Sequence, residues 1–501
     1  MKGIAVYPLF HLLFFLSFLF QLSCNDGLDD NYTTDRQYRL DFSRDTVSFD
    51  TVFTTVGSAT QNLMVYNRNR KPLEIERVWL GSGGTSGFYV NVDGKKGVSF
   101  DHIGIQDGDS LYVFMEVNVN PSDAKNPLLV EDSLMFLLGS GVMQVVRLEA
   151  YGQNVHIYRG KTFVSDTVLT ADLPYLVYDS LVVAEDVTVT VEENTTFYMH
   201  DHAKVEVYGT LLLNGEREKP VVFRGDRNDD IIDNILPYDH TPGQWGGIRF
   251  RSGSMGNRFD YAVIRNGTDG IRLDDSGALS GRKLEISNSQ ITNMSRNLLL
   301  SYNNDIRAVN TEFSNAGYGV AVLVGGEISF VHCSFVNYMV LLSRNFILDG
   351  LEEKYTSCVT LANYKEDGMD AGGAYPLDVS FDNCIIDGSL SAGSGDGSGE
   401  LMLLYRDGSA FNYRFNHCFL KTEEKDSGNF QGVLYGDSPE YKVCGDEEFR
   451  YWYDFRLKSD STVGVGAADP EISRLYPVDR YGISRMTSEY GPSIGAYEYV
   501  P

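Results

Sequence analysis

The chain has 501 residues, 43% hydrophobic and 22% charged, a balance that excludes a disordered or collagen-like protein. Its 42 basic residues face 69 acidic ones, a formal net charge of −27. That deficit argues against a nucleic-acid binder, which needs Lys and Arg to neutralise phosphates, and against wholesale adsorption to anionic lipid. Glycine (50), Tyr (31) and Phe (28) are abundant, the composition of a turn-rich, all-β protein, and the length allows about two to four domains.

Lys2 is the only charge ahead of an apolar run from Leu9 to Leu22 that ends at Leu22-Ser23-Cys24. A short basic start, an apolar core and a small residue before the cut describe a secretory signal over residues 1–23. The site resembles a bacterial lipobox with Gln21 where Leu is usual, so Cys24 is expected to carry lipid. Several acyl chains then anchor the protein to a membrane. Asp26, Asp29 and Asp30 follow at once. They resemble the acidic export tag of surface lipoproteins of the Bacteroides group, and read equally well as a solvated linker over 24–44. The implied address is the outer membrane or cell surface.

From 45 to 155 short alternating strands are broken by turn residues, among them Leu63 to Asn67, Leu111 to Val117 and Val145 to Leu148. That spacing predicts a two-sheet sandwich. Trp79 has no cysteine partners, so the antibody signature is missing. Phe49 to Phe53, Val65-Tyr66-Asn67 and Phe88-Tyr89-Val90 resemble the immunoglobulin-like modules that precede β-helices in such lipoproteins.

One pattern then recurs: an apolar residue, a gap, Asn or His, then Ser, Thr or Cys, a gap, and another apolar residue. It is centred on Asn288, Asn310, His332, Asn383 and His417, spaced 22, 22, 51 and 34 residues apart. The interval of 51 holds either two repeats or one with an insertion. A period in the twenties with strand-like alternation predicts stacked parallel coils, each satisfying the strand edges of the last. Leucine-rich frames do not recur. Cys333, Cys384 and Cys418 share one register and are expected inside the coils as small buried side chains. With Cys358 and Cys444 they make an odd number with no Cys-x-x-Cys, against a full disulfide framework or a zinc ribbon.

Val187 to Val191, Val205 to Leu211, Trp245 to Phe250, Tyr261 to Asn266 and the closing Ile494-Gly495-Ala496-Tyr497 resemble right-handed β-helix proteins of the pectin-lyase-like superfamily. The resemblance implies an all-β fold: an N-terminal β-sandwich, then a right-handed parallel β-helix over 156–420 of about ten coils at ~4.8 Å spacing, and a cap and closing segment over 421–501. Tyr451 to Leu457 reads as a short helix or irregular cap. Gly388 to Gly399 and Glu366 to Asp370 read as loops.

The fold hosts lyases and hydrolases, yet the sets that such enzymes carry are missing. No histidine lies between glycines, Trp-Ile-Asp-His is absent, and Arg456-Leu457-Lys458 stands outside the coils. The densest acidic insertion holds Asp226, Asp229, Asp230 and Asp233, just before Tyr238, His240 and Trp245. It reads as a calcium site of oxygen ligands, as a sugar platform on Tyr238, His240 and Trp245, or as a solvated loop with Trp245 in the core. Asp269, Asp274 and Asp275 are expected to flank the same face, and His200-Asp201-His202 reads as a hydrated turn rather than a metal pair. The sequence thus points to a lipid-anchored envelope protein presenting a β-helix to a polysaccharide or a surface protein. The alternative is a polysaccharide lyase or glycoside hydrolase. No cofactor is implied other than calcium.

Overall fold

The structure is a computed structural model, and it describes residues 32–121, 125–232, 235–277, 281–342, 344–346, 354–365, 374–393, 399–445 and 451–501. Cys24, the leader before it, the acidic run after it and Asp233 lie outside the described residues. The chain divides into two compact units, Met1–Gln153 and Asn154–Pro501.

The first unit is a β-sandwich of two five-stranded sheets. One runs in the order Asp41–Phe42, Gln61–Tyr66, Ser110–Val117, Phe88–Val92 and Lys95–Gly97. The other runs Thr46–Phe53, Met143–Gln153, Leu128–Leu138, Leu73–Leu80 and Ser99–Ile105. Among the described strands of this unit, Thr46–Phe53 alone pairs parallel, on Met143–Gln153. Alternation buries Val47, Phe49, Leu63, Val65, Val78, Phe88, Val113 and Phe136 between the sheets, the two-residue period of strands covered on one face. Leu40 joins this core and Asp41–Phe42 pairs with Gln61–Tyr66, so the sandwich begins ahead of the Asp45 boundary read from the sequence.

The second unit is a parallel β-helix. In the middle of the stack each coil gives one strand to each of three faces. The first face is a ten-stranded parallel ladder from Thr167–Leu169 to Phe430–Gln431. The second and third faces share a 17-stranded sheet. In one coil the three strands are Arg282–Ser287, Gln290–Met294 and Leu299–Tyr302, which pair in register with Asp305–Val309, Glu312–Ala316 and Ala321–Val324 of the next. The 51-residue interval is one coil with insertions, because Gly326–Val331 pairs directly with Leu377–Asp382.

The repeat residues make the corner between the first and second faces. Asn288, Asn310, His332, Asn383 and His417 all turn the chain with φ between 48° and 53°, the left-handed conformation that Asn tolerates best because its side chain bonds locally. Tyr261, with φ of 45°, makes the same corner one coil earlier. It escapes the sequence pattern because neither it nor Ala262 has the repeat's chemistry.

One position past the corner, Ser289, Thr311, Cys333, Cys384 and Cys418 point inward and are fully buried. Each donates to the carbonyl two residues back: Ser289 to Ser287 at 2.6 Å, Thr311 to Val309 at 2.8 Å, Cys384 to Asp382 at 3.3 Å. Each of the two later cysteine sulfurs also accepts the amide of the cysteine one coil earlier, Cys333 to Cys384 and Cys384 to Cys418, both at 3.4 Å. The ladder explains why Ser, Thr and Cys interchange here: a short donor-acceptor closes the corner. Beside it, Phe330, Phe381, Phe415 and Phe430 stack with centroids 4.8–5.3 Å apart.

After the coils the chain returns along the corner. Asp469 touches Asn416 and Asn383, Ser473 bonds His332, the Val478 carbonyl accepts from Asn310, Arg480 donates to the Asn288 carbonyl, and Tyr481 receives Arg217. The tail therefore climbs against the direction in which the coils were laid down. Tyr453–Leu457 is a strand paired antiparallel with Tyr441–Cys444, not the helix or irregular cap expected there. Alternation had placed Phe455 and Leu457 on one buried side, a strand period. The helix of this region is Pro470–Leu475, capped by Asp469, whose side chain accepts the Glu471 amide.

Candidate functional site

A strand buries alternate side chains and presents the others outward. On the second face the outward residues form two lines along the coil axis, one through Arg265, Thr292 and Ser314 and the other through Gln290 and Glu312. At the far end of these strands Asn266, Asn293 and Asn315 turn the chain with φ of 67°, 60° and 59°. Asn293 donates to Asn266 Oδ1 at 2.8 Å. Together they are the floor of a groove of about 300 Å³.

Two walls rise from distant segments. Asp239 and His240 come from a single 3₁₀ turn, Tyr238–His240, of the acidic insertion. Tyr451, Trp452, Tyr453, Asp454 and Arg456 come from the returning tail, with Tyr481 and Tyr497 behind them. The His240 and Trp452 rings meet at 5.3 Å between centroids, and Trp452 remains 53% exposed. Tyr481 stacks on Tyr497 at 5.4 Å.

Each carboxylate inside is answered by cations or by hydrogen-bond donors. Asp239 Oδ1 lies 3.0 Å from Arg224 and 3.1 Å from Arg265. Arg456 Nε donates to both Asp454 oxygens, at 2.8 and 3.0 Å, and its Nη2 grips the same carboxylate. Glu312 accepts from Ser314 at 2.6 Å, from Gln290 at 3.0 Å and from the Tyr497 hydroxyl. Burial pushes the Asp454 carboxyl up, but the Arg456 bonds outweigh it and hold it below its usual value. Burial lowers His240, with Asp239 opposing and Arg265 adding to the effect, so this imidazole is neutral at neutral pH. Burial likewise lowers Arg265. Burial and the neighbouring Glu312 raise Tyr497 well above the usual phenol value.

The residues singled out from the acidic insertion scatter. Asp226 accepts from His200 at 2.6 Å and Asp229 is gripped by Arg227. Asp230 opens a strand, Asp230–Ile232, paired with Leu236–Pro237. Tyr238 lies under the Arg227 guanidinium at 4.2 Å. Among the described residues of the set, His240 alone lines the groove. Trp245 is fully buried, stacked toward Phe223 with its indole N–H on the Arg265 carbonyl at 2.8 Å. It braces the groove floor from behind and presents no surface platform. Asp274 pairs with Arg249, Arg251 and Arg272, Asp269 faces Arg296, and Asp275 accepts from Asn303. Among the described residues no group of three or more His, Cys, Asp or Glu is placed to hold a metal ion.

No known protein family and no curated protein matches the chain. Among solved structures, a family 123 glycoside hydrolase from Clostridium perfringens is similar at 8% identity over 23% of this chain and 26% of that one, with a TM-score of 0.16. The PapD-like domain 7 of human CEP192 is similar at 10% identity over 23% of this chain and 85% of that domain, also with a TM-score of 0.16. Likenesses this slight carry no functional argument.

Proposed function

We propose that this chain is an exported, lipid-anchored envelope protein of the pectin-lyase-like kind, carrying an immunoglobulin-like module. Its β-helix binds a glycan in the groove between the second face and the returning tail. The observation that carries the reading is Trp452: a large indole ring left half-exposed at the rim of a polar groove, immediately ahead of the paired strand Tyr453–Leu457. Burying such a ring against the apolar face of a sugar gives affinity, while amides and hydroxyls below it match the sugar's hydroxyls. The Leu9 to Leu22 run and Leu22-Ser23-Cys24 support export and anchoring at Cys24. A glycan-array screen of the purified chain and of Trp452→Ala tests the reading, with hits expected for the first and lost in the second.

A polysaccharide lyase or glycoside hydrolase is the second reading, favoured by three carboxylates, Asp239, Glu312 and Asp454, in one groove. Two are spent on guanidiniums and the third accepts three hydrogen bonds, which supports binding over acid-base chemistry.

A further inference from the structure

We infer that the groove selects a neutral glycan over an anionic one. The inference rests on the glycan reading above and deepens it. Recognition of a uronate or sulfate needs a cation free to pair with it. Both guanidiniums in the groove face a carboxylate: Arg265 lies 3.1 Å from Asp239 with its Nε buried, and Arg456 forks onto Asp454 at 2.8 and 3.0 Å. An acidic sugar would have to draw Arg456 away and leave half-buried Asp454 uncompensated, or draw Arg265 from Asp239, which Arg224 also faces at 3.0 Å. His240 supplies no charge either, since burial keeps it neutral. At longer range the chain's net charge of −27 repels a polyanion.

The rest of the polar lining offered to a ligand is neutral: the amides of Asn266, Asn293 and Gln290 and the Thr292 hydroxyl, each making bonds within the groove and keeping further donors or acceptors, beside the Trp452 ring. Amides and hydroxyls both donate and accept, as sugar hydroxyls do.

Isothermal titration of the full ectodomain tests this with five probes: cellohexaose, mannohexaose, xylohexaose, hexagalacturonate and a heparin hexasaccharide. Each is run between about 0.05 and 0.5 M NaCl, on wild type and Trp452→Ala. At least one neutral hexaose should bind with affinity changing less than about threefold over that range, and Trp452→Ala should weaken it by about tenfold or more. If hexagalacturonate or heparin instead binds tightest, loses affinity with salt and depends on Trp452, the neutral class is overturned while the groove reading stands. Binding indifferent to Trp452, or no binding by any of the five, overturns both.

Discussion

Asn383 and Asp469 hold each other twice: Asn383 Nδ2 donates to the Asp469 carbonyl at 3.2 Å, and the Asp469 amide donates to Asn383 Oδ1 at 2.7 Å. One residue thus serves two levels of structure. Its backbone takes the left-handed turn that lets a coil pass from first face to second, and its side chain docks the tail that walls the groove.

These two duties separate by substitution. Asn383→Gly keeps the backbone conformation and loses the side-chain bonds, so it should cost about 1–2 kcal/mol. Asn383→Ala adds the left-handed penalty and should cost about 2–4 kcal/mol. Urea unfolding of both variants gives the comparison, and equal costs would show that the corner conformation contributes nothing.

His332 occupies the same corner, fully buried, its Nε2 at 3.1 Å from Ser473 and from Asn383. Burial and the neighbouring Arg485 lower its pKa well below the usual value. The folded state therefore prefers neutral imidazole, and below about pH 6.5 the unfolded chain takes a proton that the folded chain refuses. Stability from this residue is full above pH 6.5 and falls by up to about 1.4 kcal/mol per pH unit below it. The buried carboxyls of Asp387 and Glu498 are raised and act in the opposite sense. The informative quantity is thus the difference between wild type and His332→Asn, which keeps the corner chemistry. The variant should lose less stability between pH 7 and pH 5 (about two units), measured by urea unfolding; parallel curves would contradict the assignment.

Lys283 is fully buried, with Nζ donating to the carbonyls of Arg251, Ser252 and Asp274 at 2.9, 3.3 and 2.9 Å and to Ser276 at 3.1 Å. It ties the turn after Gly247–Phe250 to the turn after Ile271–Leu273. Lys283→Met fills the volume but leaves these acceptors without their donor, and should cost about 3–5 kcal/mol in chemical unfolding. A loss under about 1 kcal/mol would mean that water replaces the ammonium.

Cys333, Cys358, Cys384 and Cys418 are buried and free, and Cys444 is half-exposed. In a thiol titration of the folded protein Cys444 should react first, and these four only on unfolding. Cys384→Ser should be tolerated better than Cys384→Ala, because Ser289 already does this work three coils earlier in the same ladder. Fast labelling of all five would contradict the packed interior.

The coils were legible because their corner imposes chemistry on sequence: a left-handed residue, then a short inward donor, coil after coil. Tyr261 hid because a bulky residue takes that conformation without announcing it. The groove was not legible. Its floor lies at Gln290, Thr292 and Glu312, its wall at Trp452 and Arg456, and nothing periodic joins them along the chain. The acidic insertion drew attention by its density of carboxylates, yet Asp226 and Asp229 are answered by His200 and Arg227 close by. Density along a chain does not report convergence in space.

The most direct test of the account is hydrogen exchange of the purified chain with and without a saturating glycan from the array. The account predicts slowed exchange in the Tyr451 to Arg456 segment and in Gln290 to Ala316, with the rest of the coils unchanged. Slowing confined to the sandwich, or to coils away from these two segments, would contradict it.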